Sequence, residues 1–167
     1  MVGKGTGVNV VEELRQRIQP VLYSSDGWEI AGRPVQNPRT GWYARRTNAT
    51  FEIRVPATDA PMHFLTIMSM KSYGPDWIGS KLNVEVTIQS PFESANTTAA
   101  AAVQPPDDAA TASYEIDGYH EIKTSVHFPH KFKLPGNGAR IGDVVILKAK
   151  LVGGVTFKIN GIALCRF

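Results

Sequence analysis

Five aromatic residues, Trp28, Trp42, Tyr43, Tyr73 and Trp77, lie in or beside stretches rich in Gly, Pro, Ser and Asp. Three arginines, Arg39, Arg45 and Arg46, accompany them. An indole or phenol on a loop offers a flat apolar face that stacks on the C–H face of a sugar or on a base, at small cost in side-chain entropy. A neighbouring guanidinium adds a planar fork of donors for hydroxyl or carboxylate oxygens. Trp42, Tyr43, Arg45, Arg46, Tyr73 and Trp77 are therefore the candidate ligand-binding residues. The competing reading is that the tryptophans plug the ends of a β-sheet core, because Trp is highly buried on average.

Catalytic and metal-binding patterns are weaker. The chain has no Gly-x-Ser-x-Gly elbow, phosphate-binding Walker loop, His-Glu-x-x-His or Cys-x-x-Cys. Gly3-Lys4-Gly5-Thr6-Gly7 lacks the preceding strand and the spacing of a phosphate loop. His120, His127 and His130 have no ligand spacing, and on a strand His127 and His130 point to opposite faces. Cys165, the single cysteine, ends an apolar stretch and reads as a buried, inert thiol. It forms no intrachain disulfide and argues against a cysteine-based zinc site. Asp76, Asp107, Asp108 and Asp117 lie near loops, with no pairing implied. No catalytic residue, metal or cofactor is expected.

Charge is mildly positive, +3 over 167 residues, but uneven. From His120 to the C-terminus eight Lys/Arg face two acids, Glu121 and Asp143. Such a cluster suits phosphate, acidic glycan or an acidic protein face, unless it is merely a solvated sheet face with alternating lysines. No run of eighteen apolar residues exists, so no membrane-spanning helix is expected, and Met1–Gly7 has no apolar stretch of signal-peptide type. Asn48-Ala49-Thr50 and Asn96-Thr97-Thr98 are glycosylation sequons, which favour the secretory pathway.

The elements that must hold these residues are mostly strands. Val8, Val11, Leu14 and Ile18 recur at helical spacing, with Asn9 as the cap and Pro20 as the stop. This helix forms an N-terminal extension, 1–22, ahead of a sandwich domain, 23–167. Residues 23–41 read as loop with a short strand at Trp28-Glu29-Ile30. Phe51, Ile53 and Val55 alternate with polar residues, as do Leu82, Val84, Val86 and Ile88. Phe64 to Met70 is more apolar and reads as a central strand. Residues 91–113 carry an alanine run and Pro105-Pro106-Asp107-Asp108, and read as a long mobile loop. Strands return at 114–122 and 125–132, the latter at an edge or bulge because of Pro129. Pro135-Gly136-Asn137-Gly138 is a turn, and Gly153-Gly154 signals a hairpin between the last two long strands. Seven or eight strands with short connections predict an all-β antiparallel sandwich, or jelly roll, with one short N-terminal helix.

Several segments together resemble the galactose-binding-like jelly rolls used by carbohydrate-binding modules. They are the basic loop and strand Arg45-Arg46-Thr47-Asn48-Ala49-Thr50-Phe51-Glu52-Ile53, the strands Phe64–Met70 and Leu82–Ile88, and the closing run from Gly154 to Leu164, of the form Phe-x-Ile-x-Gly-Ile-x-Leu. The stretch Phe64–Val86, with Met70-Lys71-Ser72-Tyr73-Gly74, is similar to C-terminal modules of plant and algal extracellular proteins. The resemblance implies a non-catalytic, lectin-like module of a larger extracellular or wall-associated protein. Its partner would be a glycan, an acidic one included; membrane insertion and nucleic acid are not expected. The alternative is a self-assembling jelly-roll subunit of a shell or filament.

Overall fold

The computed structural model describes residues 10–33, 37–90 and 110–166. Among these residues ten strands form two five-stranded sheets, all strand pairings antiparallel, beside one α-helix. The front sheet has the order β1 (Leu22–Asp26), β4 (Thr50–Pro56), β9 (Val144–Gly153), β6 (Lys81–Gln89), β7 (Thr111–Asp117). The back sheet has the order β2 (Trp28–Arg33), β3 (Asn37–Ala44), β10 (Phe157–Cys165), β5 (Phe64–Lys71), β8 (Val126–Lys133). This is the expected β-sandwich.

Period-two patterning sets each face. On β9, Val145, Leu147, Ala149 and Leu151 are buried while Lys148 and Lys150 are exposed. On β6, Leu82, Val84 and Val86 are buried between Lys81, Asn83 and Glu85. Leu65, Ile67, Phe157 and Ile159 complete the inner faces from the back sheet. Each such side chain removed from water contributes roughly 1.5–3 kcal/mol, so this interior is the main source of stability. At one side of it Trp28, Trp42 and Phe51 pack with ring centroids 4.2–5.3 Å apart. On the opposite side Tyr114 of β7 stacks on Phe132 of β8 at 4.3 Å and closes the gap between the sheets.

The helix α1 (Val10–Ile18) turns Val11, Leu14 and Ile18 inward and its arginines outward. Glu12–Arg15 and Glu13–Arg17 pairs run along its exposed face. It packs on β2 and β3. The expected start at Val8 and the Asn9 cap fall outside the described residues. No described helix is long and apolar enough to cross a membrane.

Three expectations need correction. Residues 23–41, read as loop around a short strand at Trp28-Glu29-Ile30, contain that strand as the start of β2, but also nearly all of β1, the rest of β2 and most of β3. Their polar composition hides strands whose stability comes from pairing with β4 and β10. The Gly153-Gly154 hairpin does not form, because β9 and β10 belong to different sheets. Gly154, at φ +66, instead carries the chain across from one sheet to the other, and a Cβ at Gly153 would stand 2.2 Å from the Gly79 carbonyl oxygen. Of the 91–113 stretch, 91–109 lie outside the described residues, while Thr111–Ser113 belong to β7. Pro129 does lie on an edge strand, β8, and Gly138 N–H donates to Pro135 O at 3.1 Å in the expected turn.

Candidate functional site

The outward face of the front sheet carries an open groove of about 560 Å³. Its floor follows from strand register. Ser24, Glu52, Lys148, Glu85 and Ser113 are cross-strand partners in one row spanning all five strands. Thr50, Lys150, Asn83 and Glu115 form the next row. Rows two residues apart on a strand are about 7 Å apart, and neighbouring strands about 4.8 Å. The floor therefore presents ammonium, carboxylate, amide and hydroxyl groups on a regular grid.

The rim is held by ion pairs. Arg54 Nε donates to Glu52 Oε1 at 2.7 Å, and its guanidinium lies 3.4 Å from the centre of the Tyr23 ring. The hydrogen bond from Arg54 to Glu52 holds the guanidinium above its usual pKa. At the far end Lys81 Nζ donates to Glu115 Oε1 at 2.7 Å, which likewise raises the amine. Among the described residues no salt bridge joins Lys148, Lys150 or Glu85. These central groups keep hydrogen-bonding capacity for a ligand. No histidine or cysteine lines the groove, and no cluster of three metal-ligating side chains exists among the described residues.

The residues singled out from sequence do not form one platform. Trp42 is the clearest correction: it lies within β3, faces between the sheets, and is 3% exposed. Alternation on the same strand sends Tyr43 to the opposite face, where its ring lies 4.4 Å from the Arg45 guanidinium carbon and 5.2 Å from Lys158 Nζ. Arg45 Nε bonds Glu29 at 2.9 Å, and Arg46 pairs with Asp26. Tyr73 is exposed on the β5–β6 connection, and Trp77 is half-buried in the short 3₁₀ turn Pro75–Trp77. Arg45, Arg46, Tyr73 and Trp77 share one end of the sandwich. The β9–β10 connection lies between the two pairs, since Thr47 Oγ1 donates to Gly154 O and a Cβ at Gly154 would meet Ser80.

The C-terminal basic cluster also disperses. Lys148 and Lys150 face outward from the front sheet, whereas Lys131 and Lys133 are exposed on β8 of the back sheet. Lys158 is 1% exposed. The histidines separate as alternation requires. His130 Nε2 lies 2.9 Å from the buried Ser69 Oγ, while His127 bonds Asn160. Burial, with a smaller contribution from Lys71, lowers the His130 pKa. The side chain of Arg39 falls outside the described residues.

Sequence reasoning missed the groove residues Glu52, Asn83, Glu85 and Lys148. Their signal was only the polar half of each alternating strand, and nothing local says which strands lie side by side.

No protein-family model matches the chain, and no curated protein matches it. Its chain path is similar to several solved structures. One is a family 61 carbohydrate-binding module in complex with β-1,4-galactotriose, with TM-score 0.48 and 8% identity over 86% of each chain. Another is a family 36 module of a multidomain xylanase from the hindgut metagenome of Trinervitermes trinervoides, with TM-score 0.44 and 10% identity over 88% of this chain and 95% of that one. The enzymatically active domain of a bacteriophage CBA120 tailspike is also similar, with TM-score 0.42 and 13% identity, over 87% of this chain and 19% of that one. All three TM-scores lie below 0.5, and the two antiparallel sheets packed face to face are established by this structure itself.

Proposed function

We propose that the protein is a non-catalytic carbohydrate-binding domain whose ligand lies across the strands in the front-sheet groove. The observation that carries this reading is the row Glu52–Lys148–Glu85, flanked by Asn83 and Lys150, in an open groove. A polyhydroxylated chain can donate to each carboxylate and accept from each ammonium, and such charge-assisted bonds are the stronger ones. The groove's open side leaves room for a chain longer than its floor.

The groove favours a neutral glycan over an acidic one. Its two central lysines are matched by Glu52, Glu85 and Glu115, so it offers no excess of positive charge. The C-terminal lysines that would suit an acidic ligand are distributed by the fold over different surfaces. Asn48 of the first sequon is exposed, at φ +64 in the β3–β4 turn, where a glycan would find room. This favours work in the secretory pathway, as a module of a larger extracellular protein.

The test is a glycan array with the full chain at two salt concentrations, followed by calorimetric titration of the hits. Binding of neutral oligosaccharides that changes less than threefold with salt supports the reading. A blank array on folded protein, or binding that Lys148→Ala and Glu85→Ala leave intact, overturns it.

A further inference from the structure

A second cavity, of about 450 Å³, opens between the two sheets beneath α1. Its walls are mainly apolar: Ile53 and Val55 of β4, Ile162 and Leu164 of β10, and Leu14 and Ile18 of α1. Trp42 and Met62 also line it, and among the described residues its polar neighbours are Arg17 and Asn160, whose Oδ1 is buried without a hydrogen-bond partner. Elsewhere the space between the sheets is filled by facing side chains, as in the Trp28–Trp42–Phe51 cluster. Here a helix of only nine residues supplies the cover, and Ile18, Val55, Ile162 and Leu164 remain half-buried.

Apolar walls without packing partners lose dispersion contacts, and water gains few hydrogen bonds among them. The volume falls in the range of small-molecule sites, about 300–1,000 Å³, which are mostly apolar with few polar groups. We propose that this cavity binds a small apolar molecule, an aromatic ring system or short alkyl chain, with any polar end directed to Arg17 at the mouth. The site lies on the inner side of the front sheet, opposite the glycan groove, and is independent of it. A helix this short has little stability of its own, so α1 can shift to admit the molecule.

The probe is 8-anilinonaphthalene-1-sulfonate, titrated into the full chain and followed by its own emission and by energy transfer from tryptophan. One saturable site per chain is expected, with methyl shifts of Ile53, Ile162 and Leu164 moving and those of Val84 and Val86 still. Val55→Phe and Ile162→Phe fill the cavity from two walls. Each should weaken the probe at least tenfold without changing the far-ultraviolet circular dichroism or glycan binding. Absence of a saturable site on the wild-type chain, or methyl shifts outside the lining, overturns the proposal without recourse to variants. Equal probe affinity in folded filling variants also overturns it. So does probe binding that weakens as protein concentration rises, which would assign the cavity to a second copy.

Discussion

Gly118 abuts the ring of Phe157: a Cβ on Gly118 would stand 2.8 Å from Phe157 Cδ2 and 2.6 Å from Ser80 Oγ. Phe157 is fully buried, and the Gly118 backbone donates to Ser80 O and accepts from Ser72 N–H, both at 2.9 Å. Neither side can retreat without breaking the junction of the β5–β6 and β7–β8 connections. Overpacking of this kind costs about 1–3 kcal/mol. Gly118→Ala should lower the thermal midpoint by several degrees, at roughly 2–4 °C per kcal/mol for a domain of this size. Gly161→Ala is the control, because nothing lies within 4 Å of its Cβ position. It should be neutral or slightly stabilising. Equal midpoints for the two variants would remove the packing argument.

His130 makes stability depend on pH in a definite direction. Burial, then Lys71, lowers its pKa in the folded protein below the ordinary 6.5. Just below that value the unfolded chain binds more protons than the folded one, so stability falls as pH falls. The loss begins near the unfolded pKa and continues down to the depressed folded one. His130→Gln retains a partner for Ser69 Oγ but no titrating group. Urea midpoints measured from pH 7.5 to 5 should fall less for His130→Gln than for wild type. Parallel profiles would show that the background histidines and carboxylates account for the whole effect.

Much of the fold was legible because each strand carries its own pattern. Phe51–Ile53–Val55 and Leu82–Val84–Val86 point inward as alternation requires. In the β1–β3 region only Trp28-Glu29-Ile30 of β2 was legible, because Ser24, Ser25, Asp26 and Gly27 read as turn chemistry, and only the partner β4 makes Ser24–Asp26 a strand. The step from β9 to β10 failed for a related reason: Gly153-Gly154 permits a tight turn, but sheet membership depends on β4, β6, β3 and β5. The groove was hidden in the same way. Glu52, Lys148 and Glu85 become neighbours only through register between segments more than thirty residues apart.

The groove's two central groups should separate binding from folding. Lys148 and Glu85 are exposed on regular strands with no ion pair among the described residues. Truncating either should change stability by less than about 0.5 kcal/mol. A hydrogen bond to a charged group contributes about 1.5–3 kcal/mol, so each truncation should weaken the glycan roughly tenfold to a hundredfold. Tyr23→Ala loosens Arg54 and, through it, Glu52. A smaller loss is expected there, because the exposed cation–π contact is worth about 0.5–1 kcal/mol. Calorimetric titration beside thermal unfolding checks both quantities on one sample. Loss of affinity matched by loss of fold would count against the groove.

Trp42 should behave in the opposite way. Its indole lies between the sheets, 4.2 Å from the Phe51 ring centre and 5.3 Å from that of Trp28, while the groove opens on the far side of the front sheet. Trp42→Ala removes a large buried ring and leaves a cavity that neighbours refill only in part, at about 3–5 kcal/mol. A domain stable by roughly 5–15 kcal/mol can survive that loss at low temperature and fail near 37 °C. Measured at 10 °C, with the folded fraction fixed by circular dichroism, its glycan affinity should stay within twofold of wild type. A tenfold loss in the folded fraction would mean that the ligand reaches β3. The site would then belong with Tyr43 of β3 and with Arg45 and Arg46 of the β3–β4 connection, not on the floor of the front-sheet groove.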